Sequence, residues 1–339
     1  MSPSAPEQTA PGMIVNTRSP LSVAGPWILL VVAAAALVAI AMLAPLRYVF
    51  LLGELLIAVL YATSLNLLMG YGGMLSLGHA AYYALGAYGS GLLATWGWPM
   101  PVALVAGPLL AGLGAAVFGA FIVRTNHQEH AYFLMLTLAF SQLVYATIYK
   151  WYSVTRGDDG LTGIMPSGIV ESPRDFCIFI LVIVAACMYL MHRIVNSPFG
   201  LTLQAIRDNP ERAAFVGLSI RRYQLVAFII AGIFAGMAGA LYAYFSGTIS
   251  PQIADWGHSA RPFIANTIGG IQSFWGPAVG VILLEVIDSQ IARITDHSLI
   301  AVGILAVAVG LWLPQGVVGL LQGQRSGPSV WDRLLRRKD

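Results

Sequence analysis

Long apolar stretches dominate the chain, broken at intervals by short clusters of glycine, proline and charge. A helix that crosses a bilayer needs about 20 mostly apolar residues. Nine clear runs fit: Trp27–Ala44, Tyr48–Met69, Met74–Thr95, Pro101–Val123, Ala131–Lys150, Phe176–Arg193, Gln224–Phe245, Trp275–Arg293 and Ser298–Leu313. A tenth, from His258 to Ile271, is short and carries Arg261 and Asn266, so it reads as a half-helix or broken element.

Charge decides how these runs are counted. With ten spans and a cytoplasmic N-terminus, twelve of the eighteen Lys and Arg fall on the inner side. The other six are Arg47, Lys150, Arg156, Arg174, Arg261 and Arg293. That bias follows the positive-inside rule. Nine spans would place the basic WDRLLRRKD tail opposite the basic 194–223 loop, so ten spans and two cytoplasmic termini are expected. Residues 1–25, rich in Pro, Ser, Thr and Gln, read as a disordered cytoplasmic tail ahead of a retained first span. Residues 26–321 form the membrane domain and 322–339 a basic cytoplasmic tail.

Composition agrees. The chain is 58% hydrophobic and only 10% charged, against about 25% charged in ordinary soluble domains. A soluble enzyme is excluded, and a net charge of +3 is too small for nucleic-acid binding. The fold class expected is an all-α polytopic membrane protein with about ten spans, some broken. Cys177 and Cys187 lie roughly 15 Å apart on one helix, beyond disulfide reach. They read as packing residues. His127 and His130 read as part of a polar loop, so no metal or cofactor is expected. The only lysines, Lys150 and Lys338, lie outside any phosphate-binding G-x-x-x-x-G-K-[ST] loop. If the work is driven by an ATPase of that type, the ATPase is another polypeptide. Small-residue faces, Gly232-x-x-x-Gly236, Ala235-x-x-x-Gly239 and Gly112-x-x-x-Ala116, predict close helix packing.

The loop at residues 196–224 is too long for a connector. Ser197 and Pro198 predict the start of one short helix. Asn209, Pro210 and Glu211 predict a second, ended by Gly217. The second is too short to persist alone in water. Ala213, Ala214, Phe215 and Val216 are placed to enter a partner's groove, with Arg207, Asp208, Glu211 and Arg212 at its rim.

This loop resembles the coupling-helix region of ABC importer permeases, specifically the branched-chain amino acid permease family. Ala205-Ile206-Arg207-Asp208, Ala213-Ala214, Gly217 and Arg222-Tyr223 carry the likeness, with Arg212 where the wider importer signature has Glu. Other stretches resemble the same family in the same order. They are GYGGMLSLGHAAYYALGAY (70–88), AYFLMLTLAF (131–140), GLTGI (160–164), AGIFAGMAGALYAYFSGTISP (231–251), IGGIQSFWGPAVG (268–280) and LWLPQGVVGLL (311–321). Met74 stands where the family commonly has Gln, and Leu313 where it has Arg. The M-type subunit is the nearer likeness.

Gly72-Gly73 predicts a helix break, after which a span begins with unpaired N–H groups and a positive dipole end, an element that transporters aim at anionic substrate groups. His79, Tyr83, Gly86 and Ser90 share one face of that span. Gly269-Gly270-x-x-Ser273 echoes Gly72-Gly73-x-x-Ser76, a pair of breaks that reads as gate elements at the cytoplasmic rim. Asn66 and Asn266 lie beside the two breaks, so they join the candidate substrate pathway. Glu54, Glu285 and Asp288 lie nearer the outer ends and read as interfacial solvation. The charged 151–175 loop, with Arg156, Asp158, Asp159, Arg174 and Asp175, suits docking of a soluble binding protein or plain solvation.

The resemblance implies a bacterial inner-membrane permease that transports branched-chain or related amino acids by alternating access. It implies a heterodimer with a homologous permease, two cytosolic ATPases on the coupling loops and a periplasmic binding protein. The chain itself would do no covalent chemistry. Relatives that carry urea, amides or aromatic acids leave the cargo open, and an ion-coupled secondary transporter is the rival class. A channel and a membrane enzyme are further rivals; for the enzyme, no nucleophile–base set or metal site is found.

Overall fold

The computed structural model describes residues 37–124, 130–166, 170–291, 303–304, 307 and 316–321. The expected tails, most of the first and last apolar runs, and His127 lie outside the described residues. Helix α1 runs from Leu46 to Asn66 and continues as a π-helical turn, Leu67–Tyr71. Then come α2 (His79–Thr95), α3 (Met100–Arg124), α4 (His130–Lys150) and α5 (Pro173–Val195). Two short helices follow, α6 (Pro198–Asp208) and α7 (Pro210–Phe215). The chain continues with α8 (Ile220–Ser246), α9 (Trp256–Gly269), α10 (Gly276–Ile291) and α11 (Gly316–Leu321). The protein is an all-α polytopic membrane protein.

Five helical stretches among the described residues are long and apolar enough to cross a membrane: Leu46–Tyr71, Met100–Val123, Tyr132–Lys150, Pro173–Val195 and Ile220–Ser246. Three other runs form shorter helices. The run predicted to start at Met74 becomes helical only at His79, because Gly73 takes a positive φ of 66° and the chain from Met74 to Gly78 is not helical. Hydropathy registers the burial of that segment but not its conformation. The weak tenth run is the 14-residue α9, with Pro262 inside it. The run at Trp275 is the 16-residue α10. The count of ten spans is therefore an expectation still.

The start signals work as their chemistry predicts. Asn209 accepts a hydrogen bond from the Arg212 N–H at 2.8 Å, capping α7. Ser197 does the same for Gly200 at the start of α6, at 3.5 Å. Pro198 and Pro210 occupy the first helical positions, where a missing N–H costs nothing.

The small-residue faces bring α2, α3 and α8 together almost backbone to backbone. A Cβ at Gly86 would overlap the Gly236 backbone, and one at Gly239 the Tyr83 carbonyl. Gly232 packs on Ala115, and Gly236 on Ala111. Lipid tails are as apolar as the helices, so such close packing is what binds helices in a bilayer. At the opposite end of the bundle from α6 and α7, a two-residue antiparallel ladder pairs Leu161 with Ile249 and Thr162 with Thr248. It ties the 151–175 segment to the end of α8. Arg174 adds a tie by donating to the backbone carbonyls of Met42 and Ala44.

Candidate functional site

Along α1, three groups of residues mark successive levels of the bundle. Asn66 and the π turn lie nearest the α6–α7 loop, Tyr61 lies further along, and Glu54 lies further still. Glu54 and Gly70 are separated by about 24 Å of helix.

At the loop end, the two Gly-Gly breaks meet. A Cβ at Gly70 would overlap the carbonyl oxygen of Ile271, so the two backbones touch. Asn66 Nδ2 donates to the Ser273 carbonyl at 3.1 Å, across to the second break. Asn266 Nδ2 donates back to the Ala62 carbonyl at 3.0 Å. Gly316 packs on the Gly269–Gly270 backbone. Gly70 permits the close approach, and Gly270, with φ 115°, takes a turn that a side chain would strain. The asparagine Oδ1 atoms of both residues are buried and have no hydrogen-bond partner among the described residues.

Arg207 connects this contact to the loop. Its Nη1 donates to the Gly70 carbonyl at 2.5 Å, and its Nε and Nη2 donate to Asp208 at 2.9 and 2.7 Å. Its Cγ lies 2.7 Å from where a Cβ of Gly73 would be. Arg207 thus points into the bundle and not toward a rim. In α7, Ala213 is buried, whereas Ala214 is exposed and the Phe215 and Val216 side chains stand 91% and 81% exposed. Glu211 and Arg212 are exposed beside them and Pro210 half-buried, and Gly217 closes the helix with φ 86°. A cavity of about 600 Å³, lined among others by Gly72, Gly73, Met74, Arg207, Pro210 and Arg222, lies between the loop and the first break.

The middle level is aromatic. Tyr61 stacks on His79 and on His258, with ring centroids 5.5 Å away in both cases, and contacts Tyr83 at 4.6 Å. His79 is fully buried, and its Nε2 lies 2.8 Å from Ser64 Oγ. The start of α2 is closed by protein groups: Ser259 Oγ accepts from the Ala80 N–H at 2.7 Å, and Thr137 Oγ1 from Leu77 at 3.1 Å. The buried Ser76 Oγ accepts from Gly78 at 3.3 Å. Gly86 and Ser90 serve helix packing, Ser90 Oγ lying 2.9 and 3.0 Å from the Gly86 and Ala103 carbonyls.

Beyond this layer opens a cleft of about 100 Å³. Glu54, Arg261 and Glu285 line it, with Tyr61, Tyr83, Tyr242 and His258. Arg261 pairs with Asp288 at 2.5 Å, across α9 and α10. Of the pathway residues expected from sequence, only Tyr83 borders this cleft. Gly72 and Gly73 border the loop-side cavity, and Asn66, Asn266, Gly269, Gly270 and Ser273 belong to the contact between the breaks. Glu54, Glu285 and Asp288, which sequence assigns to interfacial solvation, gather round one arginine. Their spacing held a clue: His258 and Arg261, like Glu285 and Asp288, sit three residues apart, and so on one face of a helix. Ionisable groups in membrane helices usually face protein or water.

Residues 47–310 match the profile of a family described as the branched-chain amino acid transport system permease component. The high-affinity branched-chain amino acid transport system permease protein LivM of Escherichia coli (strain K12) is 27% identical over 297 residues, covering 79% of this chain and 69% of that protein. The corresponding LivH protein of Salmonella typhimurium is 25% identical over 286 residues, covering 77% and 90%. A probable LivM permease of Methanocaldococcus jannaschii is 25% identical over 225 residues, 64% of each. No solved structure matches the chain.

Proposed function

Since the chain belongs to the branched-chain amino acid transport system permease family, we propose that it is the M-type permease of an ABC importer for branched-chain amino acids, working by alternating access. It is a multi-pass inner-membrane transport subunit and not an enzyme; ATP hydrolysis belongs to a separate ATPase subunit. In this reading a homologous H-type permease completes a heterodimer, two ATPases grip the 194–223 loops, and a periplasmic binding protein delivers cargo. The loops and both termini are cytoplasmic.

One observation carries the mechanism: the hydrogen bond from Arg207 to the Gly70 carbonyl. The loop presents Phe215 and Val216 outward, an apolar pair that suits a groove on a partner. Arg207, on the same loop, holds the backbone that touches Ile271 in the second break. When the ATPases close on ATP, displacement of α7 reaches Gly70 through this guanidinium. The paired breaks then change their packing, and the bundle passes between its two access states. Bistable packing of this kind converts small shifts into discrete ones. Asn66, Gly72, Gly73, Ser76, His79, Tyr83, Asn266, Gly269, Gly270 and Ser273 line or support the pathway in this reading. Arg207, Asp208, Pro210, Glu211, Arg212, Ala213, Ala214 and Gly217 form the coupling surface.

The test replaces Arg207 with Ala in the reconstituted importer. Leucine uptake should fall about tenfold or more, as expected for loss of a charged hydrogen bond worth about 1.5–3 kcal/mol, while ATP hydrolysis continues. Unchanged uptake per ATP would remove Arg207 from the mechanism. The cluster of Glu54, Glu285 and Asp288 is also what an ion-coupled carrier would use. Uptake that persists without ATP and stops when ion gradients are collapsed would favour that carrier.

A further inference from the structure

The charged cleft contains more than a closed membrane bundle needs. Arg261 carries five N–H donors and gives one to Asp288; among the described residues its others have no acceptor. Glu54 and Glu285 border the same cleft and have no ion-pair partner among the described residues. His258 Nε2 is buried at the wall without a hydrogen-bond partner there. Glu54 and Arg261 are exposed and Glu285 half-buried, so their charged groups are accessible from the cleft; ionisable groups on membrane helices usually face protein or water and mark ligand sites or pathways. The rest of the wall is apolar, including Leu51, Leu55, Ala58, Ala265 and Leu284.

We propose that this cleft is an amino-acid subsite within the permease itself, binding one zwitterion with a small apolar side chain. The proposal rests on the importer reading above and deepens it. Glu54 and Glu285 receive the α-ammonium. Arg261, oriented by Asp288, and His258 donate to the carboxylate. The Leu51–Leu55–Leu284 wall takes the side chain, and Tyr61 and Tyr83 form the floor towards the paired breaks. Three chemistries are presented together, and a free α-amino acid carries all three. A bare cation would leave Arg261 and the apolar wall without purpose, and a fatty acid would leave the two glutamates repelling it. Size agrees. One water needs about 10–15 Å³ of such space, so about 100 Å³ holds roughly seven to ten water-sized atoms, the scale of valine or leucine. The site lies on the far side of the aromatic layer from the Gly70–Ile271 contact, where a substrate waits before that contact opens.

The test measures binding of tritiated L-leucine to the purified permease–ATPase complex with the binding protein omitted. Competitors are 4-methylpentanoate, which lacks the ammonium, and leucinamide, which lacks the carboxylate. Wild type should bind leucine saturably and prefer it to both. Glu54→Gln and Glu285→Gln should each weaken leucine about tenfold or more and narrow the preference over 4-methylpentanoate. Arg261→Lys should instead narrow the preference over leucinamide. Glu285→Asp keeps the charge and should restore leucine binding to within about threefold of wild type; co-purification of the ATPase reports assembly. No saturable binding by wild type overturns the subsite. So does equal weakening of leucine and 4-methylpentanoate, which signals a structural defect. The importer reading is judged separately, by ATP-dependent leucine uptake with the binding protein present; if wild type lacks that uptake, both fall.

Discussion

Where the breaks after α1 and α9 meet, the Gly70 backbone lies against the Ile271 carbonyl with no side chain between them. Where α1, α9 and α10 diverge, at the other end, Glu54, Arg261 and Glu285 face one another across open space. The first region is a contact of shape: it needs glycine, tolerates no added atom, and bonds through main-chain carbonyls and two asparagines. The second is a contact of charge: it needs particular functional groups and has room between them. Shape contacts flip between packed states; charge contacts discriminate ligands. On the two proposals above, opening falls to the first region and choosing to the second, with Tyr61, His79 and Tyr83 between them.

The comparison is broken most severely at its tightest point. Gly70→Val drives a branched side chain into the Ile271 carbonyl and Asn66. Overpacking of this kind costs about 1–3 kcal/mol or more, and it should abolish uptake and lower the melting temperature of the detergent-purified complex; wild-type values for both would mean that the breaks do not touch. Asn266→Ala removes the donor to the Ala62 carbonyl. It should destabilise the chain by about 0.5–1.5 kcal/mol, the net worth of one hydrogen bond to a carbonyl that keeps its helical partner, and thermal unfolding would show it. An unchanged midpoint would place that bond outside the fold's stability. Gly217→Val strains a residue at φ 86° but meets no neighbour within 4 Å. It should therefore cost only about 1–2 kcal/mol, spare insertion, and raise the ATP consumed per leucine. Normal stoichiometry would argue against the role given to the loop. The mildest change is His79→Leu, which loses the contact with Ser64 Oγ but keeps the packing. It should slow uptake a few-fold and leave ATPase co-purification intact, and unaltered kinetics would make His79 a packing residue only.

Much of the architecture was legible because its signals are local. Proline at the first helical position, Asn209 as a cap and glycine at Gly217 act within a few residues, so sequence placed α6 and α7 correctly. Spacing of small residues announced the face of α8; on α3 the contact centres on Ala111 and Ala115, one residue before the expected Gly112 and Ala116, with Gly112 meeting Ile233. The start of α2 was not legible. Met74–Gly78 is as apolar as a helix, and its course depends on Thr137 of α4, a partner 60 residues away in the chain. The charged cleft was hidden for a similar reason. Depth was counted along single helices, and Glu54, Arg261 and Glu285 each fell near an end; only assembly of α1, α9 and α10 reveals that they share a space. Arg207 likewise read as a rim residue, because nothing in the loop itself says that Gly70 is within its reach.

The π turn at Leu67–Tyr71 gives α1 a store of rotational slack. Gly72 N–H reaches back five residues to the Leu67 carbonyl, at 3.1 Å, where an α-helix would reach back four. Rewinding that wide turn to α geometry would swing everything beyond it by about 100° around the helix axis. Gly70, which Arg207 holds, lies within that wide turn, so rewinding it would turn the first break away from the second without unthreading α1 from the membrane.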